Sequence, residues 1–121
     1  MSQTINLSAF EIVGSPLCVA SDDGQKVHDR IAAALREGHK VRLLLLSVTS
    51  MTAAFLNAAI GQLYGEFSED VIRGGLQVAD MAQDDLALLK RVVETAKLNF
   101  KDPQRFENAV REAVGDETGG E

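Results

Sequence analysis

The sequence predicts an α/β domain, a mixed sheet of about four strands with helices packed mainly on one face. Three observations carry this. Apolar segments, alternating at Thr4–Phe10 and continuous at Val41–Val48, are separated by stretches whose apolar residues recur every three or four positions. The strand, helix, strand successions imply parallel neighbours joined by right-handed crossovers. From Val41 to Phe67, an apolar segment passes through a hydroxyl-rich turn into an almost wholly apolar helix, as expected of a buried strand feeding a buried helix.

Taken in order, Ile5, Leu7 and Ala9 alternate with Thr4, Asn6 and Ser8, which predicts a half-buried first strand. Glu11–Val13 extends it with a change of register, because Phe10 and Ile12 fall on the other parity. Gly14-Ser15-Pro16 marks a turn, and Leu17–Ala20 reads as a second strand antiparallel to the first. Ser21-Asp22-Asp23-Gly24 opens a helix, with Ser21 or an aspartate as cap and the acids at the positive end of the dipole. Val27, Ile31, Ala34 and Leu35 form its inner stripe; His28, Arg30 and Glu37 face outward; Gly38 closes it as a left-handed cap. The Leu43–Leu46 run does not alternate, so the third strand is expected to be central and buried on both faces. A second helix starts near Thr52 with the stripe Phe55, Ala59, Leu63 and Phe67, and its interior Gly61 implies close approach to the sheet. Gly74–Asp80 reads as a loop entering a fourth strand. Gln83 or Asp84 opens a third helix with the stripe Leu86, Leu89, Val93, Ala96 and Phe100. Asp102-Pro103 opens a fourth, with Phe106, Val110, Ala113 and Val114 inward. The expected organisation is one domain over 1–114 and a disordered, acidic, Gly-rich tail over 115–121.

The chain has 121 residues, 45% of them hydrophobic, and a net charge of −6. That size fits one core. The acidic balance disfavours nucleic-acid backbones and anionic membrane as partners, and no apolar run approaches the roughly 20 residues of a membrane helix. One cysteine, Cys18, rules out an intrachain disulfide, and with only His28 and His39 there is no Cys/His cluster for zinc. The first residues lack the basic and apolar regions of a signal peptide, so a reducing cytoplasm is expected. No cofactor is implied.

Three pieces of sequence carry a family resemblance. Ser21-Asp22-Asp23-Gly24 looks like a Ser-Arg-x-Gly helix start. Val41–Val48 stands where a central strand usually reads Val-x-Leu-Asp-Phe-x-x-Val. Thr52-Ala53-Ala54-Phe55-Leu56-Asn57, with Gly61 and Leu63 beyond, looks like a Thr-Ser-Ser-Phe helix start with its Gly-x-Leu continuation. Over about Ser21–Val93 the chain thus resembles the bacterial STAS-like domains, relatives of the anti-anti-sigma factors. The resemblance implies a regulatory fold that docks protein partners, among them histidine-kinase-like ATPases and other regulators. It also departs from the pattern. Classical members carry an Asp-Ser-Ser-Gly-type turn whose serine is phosphorylated, which adds charge that can expel an acidic partner surface. Here Thr52, Ala53 and Ala54 occupy those positions, and Leu44 stands where the strand acid would be.

The candidate partner-binding residues are therefore Ser50, Thr52, Ala53 and Asn57, with Thr52 the candidate phosphosite and Ser50 next to it. Each also has a plain structural reading: Thr52 as a helix cap, Asn57 as a surface amide, Cys18 as a buried structural thiol, Asp84-Asp85 as acids at a helix start. No nucleophile–base pair or metal spacing is present, so no catalytic residue is assigned. The expected function is a non-catalytic cytoplasmic regulatory module with a degenerate phosphoswitch. The alternative is a self-assembly protein that forms a homo-oligomer, a homodimer in the simplest case, through its apolar helices.

Overall fold

The computed structural model describes residues 3–101. The expected fourth helix and the tail lie outside the described residues, as does the end of the domain expected at 114. The order is β1 (Thr4–Ser8), α1 (Ala9–Val13), β2 (Leu17–Cys18), α2 (Ser21–Arg36), β3 (Lys40–Leu44), β4 (Ser50–Met51) and α3 (Ala53–Ala59). A 3-10 helix (Gly61–Gly65), α4 (Glu69–Gly75), β5 (Leu76–Ala79) and α5 (Gln83–Lys101) follow.

The fold is α/β, but the sheet is neither mixed nor single. A three-stranded sheet has the order β1-β3-β5 and a separate two-stranded one pairs β2 with β4. Among the described residues every pairing is parallel: Leu7 stands beside Leu43 and Leu43 beside Val78, while Cys18 stands beside Met51. The second strand therefore does not return against the first. The reason lies in the five residues after Ser8. The Ser8 hydroxyl accepts the Glu11 N–H at 3.1 Å and caps α1, and Gly14 ends it at φ +80. The parity change at Phe10 and Ile12 is a turn of helix, not a shift of register, and it carries β2 away from β1.

As expected, β3 is central, but it is buried on one face only. Val41 and Leu43 are buried, Lys40 and Arg42 are exposed, and the neighbours of Arg42 in register, Asn6 and Gln77, are exposed too. The leucine run does not stay in the strand: Leu44 ends it half-buried, Leu45 turns inward, and Leu46 turns out to solvent ahead of Ser47, which has φ +74.

α2 packs Val27, Ile31, Ala32, Ala34 and Leu35 into the core. Its start has no side-chain cap, so neither Ser21 nor the aspartates accept an orphan N–H, although Asp22 and Asp23 occupy the first turn. Its end is the expected left-handed one. Gly38, at φ +83, donates to the Leu35 carbonyl, and the His39 N–H reaches the Ala34 carbonyl at 3.0 Å.

The long second helix is broken. α3 stops at Ala59, and the chain continues through the 3-10 helix before Ser68 caps α4, accepting the Val71 N–H at 3.2 Å. Gly74 and Gly75 end α4 rather than form a loop. Gly61 marks a close approach to α5, not to the sheet: a Cβ there would lie 3.6 Å from Val92 and 3.8 Å from Ala96. Those two residues are the buried stripe of α5. Leu86 and Phe100, expected inside, are exposed.

Candidate functional site

The carboxyl end of β3 leads into the hydroxyl-bearing turn. Thr49 donates its N–H to the Pro16 carbonyl at 2.8 Å, Ser50 stands beside Leu17 in the β2–β4 pair, and Thr52 caps α3. The Thr52 hydroxyl is used twice. It donates to the Val19 carbonyl at 2.6 Å and accepts the Phe55 N–H at 3.2 Å. The plain reading of Thr52 as a cap is therefore correct, and the hydroxyl also ties α3 to the segment after β2. Thr52→Ala removes both bonds and is expected to cost about 1–2 kcal/mol in a urea titration.

Ser50, Ala53 and Asn57 are exposed. Ala53 and Asn57, one turn apart on α3, line a shallow groove of about 250 Å³ with Leu88, Arg91, Val92 and Thr95 of α5. The structure thus brings Ser50, Thr52 and Ala53 together and sets Asn57 further along the same helix. Around Ser50 and Thr52 lie apolar side chains that sequence reading did not single out. Leu46 is 68% exposed, Leu17 49% and Val19 40%. Each belongs to the turn's own segment or to the strand bonded to it. Exposure of Leu46 was hidden in the sequence, because four consecutive leucines read as uniformly buried.

A second polar constellation lies under α2. His28, expected to face outward, is only 5% exposed. Its Nε2 lies 2.9 and 3.0 Å from the two carboxylate oxygens of Glu66, and its Nδ1 lies 3.0 Å from Asp29 Oδ1. Arg36 donates to Glu66 at 3.2 Å and sits 5.7 Å from the centre of the Phe67 ring; Gln62 donates to Gln25 at 2.8 Å. Bonding to His28 first, and to Gln25 second, holds the Asp29 carboxyl below the usual carboxylate range. The imidazole is enclosed and both nitrogens are engaged, so this cluster joins α2 to the segment after the 3-10 helix. The only sequence hint was the position of His28 between Val27 and Ile31 on the inner face of α2.

Cys18 is fully buried, and burial first, with Asp23 second, pushes its thiol up to about 11. A raised thiol pKa means that the folded state favours the neutral form. That preference contributes stability below the unfolded value of about 8.5 and is lost as pH rises towards 11. Folded protein at pH 8 is expected to leave the thiol unlabelled by an aromatic disulfide reagent, with full labelling in urea. Rapid labelling of the folded protein would contradict this burial.

Asp84 and Asp85 sit in the first turn of α5. Among the described residues no group of three or more His, Cys, Asp or Glu could hold a metal ion, and no helix is long and apolar enough to cross a membrane.

A family model described as a STAS-like domain of unknown function (DUF4325) matches residues 23–86. The match runs from the first turn of α2 into α5, and includes the Thr52 turn, His28 and Glu66 but not β1, α1 or β2. No curated protein and no solved structure matches the chain.

Proposed function

Since the chain belongs to the STAS-like domains of unknown function, we propose that it is a non-catalytic cytoplasmic regulatory module that docks a protein partner on the surface around Ser50, Thr52, Ala53 and Asn57. One observation carries this reading. The exposed side chains Leu17, Val19 and Leu46 lie on the turn's own segment and on the strand bonded to it, so the turn has large apolar side chains on neighbouring positions. A partner that covers these side chains gains about 25 cal/mol for each Å² of apolar area removed from water. A histidine-kinase-like ATPase or another regulator is the partner class the family resemblance favours.

A degenerate phosphoswitch fits the same surface. The bond that the Thr52 hydroxyl donates to the Val19 carbonyl must break before it can accept a phosphoryl group, which releases the start of α3 from the segment after β2. Intact-mass analysis of protein recovered from its host is expected to show no phosphate on Thr52; a stoichiometric phosphate there would restore the switch.

The test of docking is affinity capture of the wild-type protein beside Leu46→Asp and Asn57→Lys, with quantitative mass spectrometry. One stoichiometric partner is expected with the wild type, reduced at least tenfold by Leu46→Asp, while thermal unfolding is unchanged. Equal recovery by all three proteins sinks the surface assignment. A second reading, self-assembly, is favoured by Leu98 and Phe100, which α5 leaves 52% and 48% exposed. It predicts a dimer by light scattering that Leu98→Glu converts to monomer.

A further inference from the structure

A recess unrelated to the Thr52 surface lies where β5, α4 and α5 meet. Its volume is about 260 Å³. Its floor is aliphatic: Ile60, Ile72, Leu76, Val78, Leu89 and Val93. Its rim is polar and consists of Tyr64, Glu69, Arg73 and Lys97. Glu69 is held at 2.9 Å by Lys97 from α5 and at 2.9 Å by Arg73 from its own helix, so two cations meet one carboxylate at the opening. Arg73 also reaches Asp70 at 3.2 Å, but that carboxylate is 90% exposed and largely screened by water.

The geometry points to a binding site for a small aliphatic monocarboxylate, its chain on the Leu76–Val93 floor and its head between Lys97 and Tyr64. Size sets the chain length. At about 30 Å³ for each group the size of a water molecule, the recess holds roughly eight non-hydrogen atoms. Charge sets the head. Two cations, Arg73 and Lys97, meet Glu69 at the rim, and Lys97 has three donors of which Glu69 engages one. Three rim groups also have altered titration. The Lys97 bond lowers Glu69, the Glu69 bond raises Lys97, and burial raises Tyr64, with no hydrogen bond contributing to the last.

The site is tested on the full chain by amide NMR titration with hexanoate, 1-hexanol and hexylamine. Hexanoate is expected to give saturable shifts centred on Tyr64, Ile72, Leu76 and Val93. 1-Hexanol should bind the same amides about tenfold more weakly and hexylamine more weakly still. Lys97→Met is expected to bring hexanoate down to the level of 1-hexanol and leave 1-hexanol unchanged, which also shows that the recess persists in that variant. Leu89→Phe, which fills the floor, should abolish binding of all three. Absence of saturation at those amides, shifts centred on Leu17 and Leu46 instead, equal binding of hexanoate and hexylamine, or no effect of Lys97→Met would each overturn the assignment.

Discussion

Gly24→Ala is expected to destabilise the protein by about 3 kcal/mol, although the same change in an ordinary helix stabilises by about 1 kcal/mol. α2 crosses α3 at Gly24. A Cβ there would collide with the Phe55 carbonyl oxygen, lie 2.8 Å from the Ala58 Cβ and 3.2 Å from the Ala59 backbone nitrogen. Two of these atoms are backbone, so no side-chain rotation relieves the clash and the helices must separate. Gly74→Ala is the control. It too lies in a helix, but nothing stands within 4 Å of its Cβ position, so a gain of roughly 0.5–1 kcal/mol is expected. Opposite signs in urea unfolding establish that the crossing is the cause. If both substitutions stabilised, α2 and α3 would not be in the close contact described. Because α3 begins at the Thr52 turn, Gly24→Ala should also weaken partner capture.

His28→Ala should cost about 3 kcal/mol and lower the melting temperature by roughly 10 °C. It empties a fully enclosed position and leaves Glu66 without its buried partner. The cost falls short of that of a fully buried ion pair, because the Glu66 side chain is 30% exposed and can recover water. Glu66→Gln retains an acceptor for His28 and is expected to cost about 1 kcal/mol. The order His28→Ala well above Glu66→Gln is the diagnostic result in thermal denaturation. A loss below about 1 kcal/mol for His28→Ala would mean that apolar contacts alone hold α2 to the segment after the 3-10 helix.

The sequence patterns that survived are those whose periodicity is local. The alternation of Ile5 and Leu7, the inner stripe of α2, the left-handed Gly38, the Thr52 cap and the start of α5 near Gln83 are each set by neighbours within one or two turns. The patterns that failed depended on distant residues or on a single polar atom. One serine hydroxyl, that of Ser8, turned the continuation of β1 into α1 and removed the antiparallel pair. The leucine run read as a strand covered on both sides because hydropathy does not record that Ser47 reverses the chain. His28 read as solvated because its partner Glu66 lies 38 positions away. Of the candidate site, Thr52 and its turn were legible as a cap; the apolar surroundings that make it a surface of interest required β2 and the Leu45–Thr49 segment to be placed.

The all-parallel pairing has a consequence for how the chain reaches this structure. Every strand pair, Thr4 with Lys40, Val41 with Leu76 and Leu17 with Ser50, joins residues more than thirty positions apart. Among the described residues no hairpin exists to seed a sheet, and each ladder needs a long loop closed before its first hydrogen bond forms. The earliest native contacts are then those inside single helices, because the α2–α3 crossing at Gly24 also joins residues more than thirty positions apart. Refolding should be slow for a protein of this length, because every strand pair and the helix crossing alike close a long loop.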